Sequence, residues 1–119
     1  MWGVKMDNIN DFQQLSKRTA PTKGHKENLI NFSVSTCEEA GELLGVLKKY
    51  LFHDNPINKE KLIGEMGDLL WYLCNIATEF EIDMSEVLEF NLNKLWTRYP
   101  NGFNSEDSFK RVDVKNGEN

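Results

Sequence analysis

The sequence predicts an all-α protein, most naturally a four-helix bundle with short connections. Two observations predict it. Apolar residues recur at alternating threes and fours along the middle of the chain, the period of a helix face, and nothing reads as a strand. Between those stretches stand residues that start and stop helices: Asn8, Asn58 and Asp83 ahead of them, Pro21, Pro56 and Pro100 behind.

Asn8 or Asp7 can cap a short first helix in which Ile9, Phe12 and Leu15 form an apolar edge. It stops before Pro21, and Thr22 to Lys26 reads as a loop around Gly24. The second helix is expected from near Asn28 to about Phe52, with Leu29, Phe32, Thr36, Ala40, Leu43 and Leu47 along one face. Proline disfavours helix in the residue before it, so the run from His53 to Pro56 ends this element. Asn58 caps a third helix reaching about Glu79, whose expected core stripe is Leu62, Met66, Leu69, Leu73, Ile76 and Phe80. Asp83 and Glu86 form an acidic capping box that opens a fourth helix ending near Arg98. Tyr99-Pro100-Asn101-Gly102 is a turn, and the polar residues beyond Asn104 are expected to be loosely ordered.

A chain of 119 residues with 39% hydrophobic and 28% charged residues has the length of one domain and an ordinary globular composition. The net charge of -5 argues against a general nucleic-acid binder, which carries a basic surplus. Cys37 and Cys74 lack C-x-x-C spacing and are expected as buried free thiols. No apolar run reaches the roughly 18 residues of a membrane span, and no signal segment opens the sequence, so a cytoplasmic location is expected. Trp71, Leu70, Cys74 and Ala77 widen the third helix's apolar surface beyond one stripe, and a second copy of the chain is expected to supply the extra cover.

The chemistry concentrates in acids. Glu39 and Glu42, then Glu65 and Asp68, are spaced i, i+3, so each pair projects from one face of its helix. Both pairs lie in strongly apolar stretches, where unpaired carboxylates are costly to bury. Two such helices packed together hold four acids over a small volume, which calls for protons or a multivalent cation. Oxygen-only donors suit magnesium, with several waters and substrate phosphates completing its shell. Zinc is disfavoured because His25 and His53 lie away from the acids in helical register. A di-iron bundle needs Glu-x-x-His, and neither histidine stands three residues after a Glu. On the third helix Glu65, Asp68, Tyr72, Asn75 and Glu79 make a polar ribbon beside the apolar stripe; on the second, Gly41 is expected to allow close helix approach. Asn91, Lys94 and Arg98 share one face of the fourth helix and offer donors to phosphate oxygens, the arginine as a bidentate fork. Trp71 or Tyr72 can stack on a base. No Gly-rich phosphate loop is present, so phosphates would be held through metal.

These segments resemble the MazG-like nucleoside triphosphate pyrophosphohydrolases. E-E-A-G-E (38–42) and E-M-G-D (65–68) match the family's E-E-x-x-E and E-x-x-D signature, with 22 residues between Glu42 and Glu65. K-K-Y-L-F (48–52), G-D-L-L-W-Y (67–72) and N-L-N-K-L-W-T-R-Y-P-N-G-F (91–103) are similar to its remaining segments. The resemblance implies a catalytic helical domain over residues 28–104, preceded by an N-terminal helix and loop (1–27) and followed by a polar tail (105–119), all one domain. It implies magnesium-dependent cleavage of (d)NTPs to (d)NMP and pyrophosphate, with manganese as a substitute ion and a housecleaning role in the nucleotide pool. Glu39, Glu42, Glu65 and Asp68 then correspond to metal ligands and Glu38 to an outer acid. Tyr72, with Trp71, falls near the base, and Lys48, Asn91, Lys94 and Arg98 near the substrate. Family members form dimers or tetramers, so a homodimer or homotetramer is expected. The rival readings are a non-catalytic nucleotide- or partner-binding module of the same fold, and a helical dimerisation module whose acids are solvated.

Overall fold

The computed structural model describes residues 4–114, and all regular structure among them is helical: α1 (Ile9–Ser16) followed by a 3₁₀ turn (Lys17–Thr19), α2 (His25–Phe52), α3 (Lys59–Glu79), α4 (Met84–Arg98) and α5 (Ser105–Lys110). The chain divides into two compact units, Met1–Met84 and Ser85–Asn119, where one domain is expected from sequence.

In the first unit, α2 and α3 form a long antiparallel hairpin and α1 packs across α3. Asn8 caps α1 by accepting from the Asn10 and Asp11 amides at 2.9 and 3.2 Å, and Asn58 caps α3 by accepting from Lys61 N at 3.0 Å. α2 begins three residues earlier than expected, at His25, and ends at Phe52 as expected. α3 closes in a Schellman motif. Glu81 sits in the left-handed region, its amide bonds to Thr78 O, and Ile82 N bonds to Ala77 O at 3.0 Å.

The core differs in its facing. Its centre is Cys74, Ala77 and Met84, with Ile9, Phe12 and Leu70 packed against it. The expected α3 stripe is rotated partly outward, leaving Met66, Leu73 and Phe80 exposed. The polar ribbon instead turns inward towards α2 and α1: Glu79 accepts from Asn28 Nδ2 at 2.5 Å, and Asn75 donates to Ser16 Oγ at 3.2 Å. Buried polar groups tolerate this face because partners meet them there. Trp71 and Leu70 are half-buried, and beside them Cys74 is fully buried by the chain itself. Burial pushes its thiol up to about 11. Cys37, expected to be buried, is exposed, and Gly41 has open space where a Cβ would stand rather than a close helix neighbour.

The second unit carries most of α4, a turn and α5. Gly102, at a φ of +87°, closes that turn with its amide on Tyr99 O, a conformation that favours glycine. α5 forms where loose order is expected; Asn104 caps it through Asp107 N at 2.8 Å.

Candidate metal and nucleotide site

α2 and α3 run antiparallel, so residues whose numbers rise on one helix meet falling numbers on the other. Asn28 meets Glu79, and eleven residues on, Glu39 meets Asp68. Carboxylate oxygens of Glu39, Glu65 and Asp68 lie within 4.8 Å of one another. Glu39 and Glu65 are half-buried and Asp68 is exposed, so the group opens to solvent on one side. The Glu39 carboxyl is held above its ordinary value, first by desolvation between the helices, then by the Asp68 charge, a hydrogen bond with Glu65, and the Glu65 and Glu38 charges. Three crowded oxygens with no cationic side chain among them fit a hard divalent cation. Glu42, one turn further along the same face of α2, is exposed and stands outside this group, as does Glu38.

Beside the acids, Glu39, Asp68, Trp71, Tyr72 and Thr19 line a cleft of about 290 Å³. Trp71 Nε1 donates to Thr19 Oγ1 at 3.2 Å, and its ring meets Tyr72 edge-on at 4.9 Å between centroids. Phe32 backs both rings at 6.0 and 6.3 Å. The aromatic pair expected near a base therefore adjoins the acids. His25 pairs with Glu79 at 3.2 Å and His53 caps the end of α2, so neither joins the acid group.

Of the expected phosphate contacts, Lys48 is exposed on α2. In the second unit Asn91 is exposed, and Lys94 lines a cleft with Phe90, Asn93, Thr97 and Asp113. Arg98 is already engaged: its Nε and NH2 donate to the two Asp113 oxygens at 2.7 and 2.8 Å. A fork that suits phosphate suits carboxylate equally. The pair raises the arginine and holds Asp113 well below the usual carboxylate range. A cation missed in the sequence is Lys61. It stands at i, i+4 and i+7 with Glu65 and Asp68 on α3, and lines a cleft of about 600 Å³ with Val46, Lys49 and Lys59 at the hairpin end. The i, i+4, i+7 spacing was its available signal.

Residues 29–103 match the MazG nucleotide pyrophosphohydrolase domain. The chain belongs to that family. All of α2, α3 and α4 except the first four residues of α2 fall inside the match, and so do Glu38, Glu39, Glu42, Glu65 and Asp68. The chain is also similar to the Gene 37 protein of Mycobacterium phage L5, 32% identical over 80 residues, covering 64% of this chain and 70% of that protein. No solved structure gives a significant match. The all-α class follows from both the helices and the MazG family. That family supports a pyrophosphohydrolase type of enzyme that depends on a divalent metal. Among the described residues no helix is long and apolar enough to cross a membrane.

Proposed function

We propose that this MazG-family chain hydrolyses (d)NTPs to (d)NMP and pyrophosphate with magnesium, manganese serving as a substitute, in a housecleaning role in the nucleotide pool. The observation that carries the reading is the Glu39–Glu65–Asp68 group set against an aromatic cleft inside the matched domain. Glu39, Glu65 and Asp68 would hold the ion, joined by Glu42 from the same face of α2. Magnesium, when bound there, would supply positive charge against the phosphate oxygens during cleavage between the α- and β-phosphates. Glu38 would orient the water or a ligand from outside. Trp71 and Tyr72 flank the nucleoside. Lys61 and Lys49, with Lys48, offer cations to the β- and γ-phosphates. Asn91, Lys94 and Arg98 remain proposed substrate contacts, as their positions in the family resemblance imply.

A homodimer or homotetramer is part of the proposal, over a wider surface than the third helix alone. Ile30, Val34, Cys37, Gly41, Leu44 and Leu51 recur at helical spacing along an open side of α2, and Ile63, Met66, Leu73 and Phe80 along α3. A soluble monomer rarely leaves such stripes bare.

Pyrophosphate release from a panel of canonical and modified nucleotides, with and without magnesium, tests the activity. Release without monophosphate formation, or no magnesium dependence, would refute it. Thermal melts separate it from a module with merely solvated acids: magnesium at a hundredfold excess over its Kd should stabilise the fold by about 2.7 kcal/mol. An unmoved Tm across millimolar magnesium would favour the solvated-acid reading.

A further inference from the structure

The connection between α2 and α3 walls the cleft of about 600 Å³ at the hairpin end. Local bonds fix that connection. Asp54 sits in the left-handed region, Asn55 N bonds to Lys49 O at 3.2 Å, and Asn58 caps α3 through Lys61 N at 3.0 Å. Val46, Pro56 and Ile57 give the cleft an apolar surface, and Lys49, Lys59 and Lys61 line it as well. All three lysines are exposed, and among the described residues none of their ammonium groups has an ion pair or hydrogen bond. No carboxylate lines the cleft. In a chain of net charge -5, unmatched cations gathered around one concave surface make a local field that draws anions.

The hairpin register connects this cleft to the acids. Asn28 meets Glu79 and Glu39 meets Asp68; seven residues further along α2, Val46 comes opposite Lys61, and both line the cleft. On α3, Lys61, Glu65, Asp68 and Tyr72 stand at i, i+4, i+7 and i+11, on one face. Lys61 is one turn from Glu65, about 6 Å along the axis. The acids therefore lie between two clefts, the aromatic one of about 290 Å³ and the lysine-lined one of about 600 Å³. A phosphate chain with its nucleoside by Trp71 and Tyr72 and its α-phosphate at the acids points its other end at the lysines. Phosphates alone make no use of Val46, Pro56 and Ile57, because only apolar groups gain by leaving water there. Apolar surface with a few convergent polar groups suits an organic ring carried on the phosphates.

We propose that the substrate class extends to dinucleoside polyphosphates, with the first nucleoside by Trp71 and Tyr72 and the second in the lysine-lined cleft. This rests on the nucleotide reading of the acid site and widens its substrates. Lys61 and Lys49 meet the bridging phosphates, and Lys59, Pro56 and Ile57 meet the second nucleoside. With a dinucleoside tetraphosphate, the oxygen of water bonds to the first α-phosphorus as the α–β anhydride bond breaks. The departing anhydride oxygen keeps the bonding pair, the proton of water passes to solvent, and the products are a nucleoside monophosphate and a nucleoside triphosphate.

The experiment uses the full chain with magnesium and two series of compounds, adenosine and uridine. Each compares the nucleoside triphosphate, the nucleoside tetraphosphate and the dinucleoside tetraphosphate by kcat/KM for monophosphate release. Calorimetric titration of analogues with methylene at the α,β bridge reads binding independently of turnover. In at least one series the dinucleoside compound should lead both others by about tenfold, what burying roughly 50 Å² of apolar surface gives. Asn55→Trp, which fills the cleft from the connection, should bring that ratio close to one. If that variant fails to fold, Lys59→Glu, at the exposed start of α3, should compress the same ratio. Equal turnover and equal binding across both series would overturn the second nucleoside site and leave the pyrophosphohydrolase reading standing. A tetraphosphate that matches the dinucleoside compound would also overturn it, assigning the cleft to phosphate alone. Preferential binding of the dinucleoside analogue without turnover of any nucleotide would keep the cleft and overturn the hydrolase.

Discussion

Gln13 joins three segments with one side chain. Its Nε2 donates to Ile82 O at 2.8 Å and Thr78 Oγ1 at 3.2 Å, and its Oε1 accepts from Met84 N at 2.8 Å, all at 3% exposure. Gln13→Leu keeps the volume but leaves the Met84 amide buried without its Gln13 partner and removes the donor to the Ile82 carbonyl, which should lower unfolding free energy by about 2 kcal/mol. An unchanged urea midpoint would mean that water replaces the amide. The acids make a second residue-scale prediction. Glu39→Gln, Glu65→Gln and Asp68→Asn should each lower kcat by about a hundredfold or more with helicity intact, because an amide retains packing but loses charge at the ion. Glu42→Gln should do the same, and Glu38→Gln should cost only about tenfold as an outer acid does. Full activity in Glu42→Gln would reduce the site to the three acids that the structure brings together. These acids were legible in the sequence because paired carboxylates at i, i+3 in apolar surroundings are chemically expensive. Gln13 was not, since a lone amide in an eight-residue amphipathic helix carries no periodic signature.

At the scale of elements, the ends of α1, α2 and α3 followed from Asn8, Asn58 and the prolines, whose effects are local. The facing of α3 did not. Leu and Met positions alone set its stripe, whereas tertiary partners for Asn75, Thr78 and Glu79 decide which side is buried. α5 was equally hidden, because six residues are too few to show a helical period. Its unit gains a tie in Arg98–Asp113, bidentate and with the carboxylate 1% exposed. The pair yields a pH prediction. The Asp113 value is depressed in the folded state, so its contribution to stability is complete above the unfolded carboxyl value of about 3.9 and is lost as pH falls through the lower folded value. Asp113→Asn should therefore melt lower than wild type at pH 7, with the gap narrowing only below about pH 4. A gap that closed between pH 7 and 5 would assign the effect to another group.

On the scale of the whole molecule, the apolar content that the sequence placed in a core is divided. Phe32, Val46, Cys74, Ala77 and Met84 are buried, while Leu44 at 64%, Ile63 at 69% and Met66 at 55% face outward from the hairpin. A second copy was expected from the sequence over Trp71, Leu70 and Cys74, of which the chain itself fully buries only Cys74; the open stripes of α2 and α3 add to that argument. Gly41 lies within the α2 stripe, with nothing within 4 Å of where a Cβ would stand, so a partner helix could approach closely there. A two-fold pairing lets one stripe meet its own copy and closes without leaving an open end, and two such dimers can pair again. Leu44→Lys and Ile63→Lys place charge in the middle of both stripes without touching the acids or Trp71 and Tyr72. Either should shift the mass read by light scattering towards the monomer, and the double variant should complete the shift. Specific activity followed through the same dilution series then decides whether the second copy serves the site or only the fold. If the pocket draws on both chains, activity falls with the dimer fraction. A wild-type monomer at micromolar concentration with full activity would sink the assembly altogether.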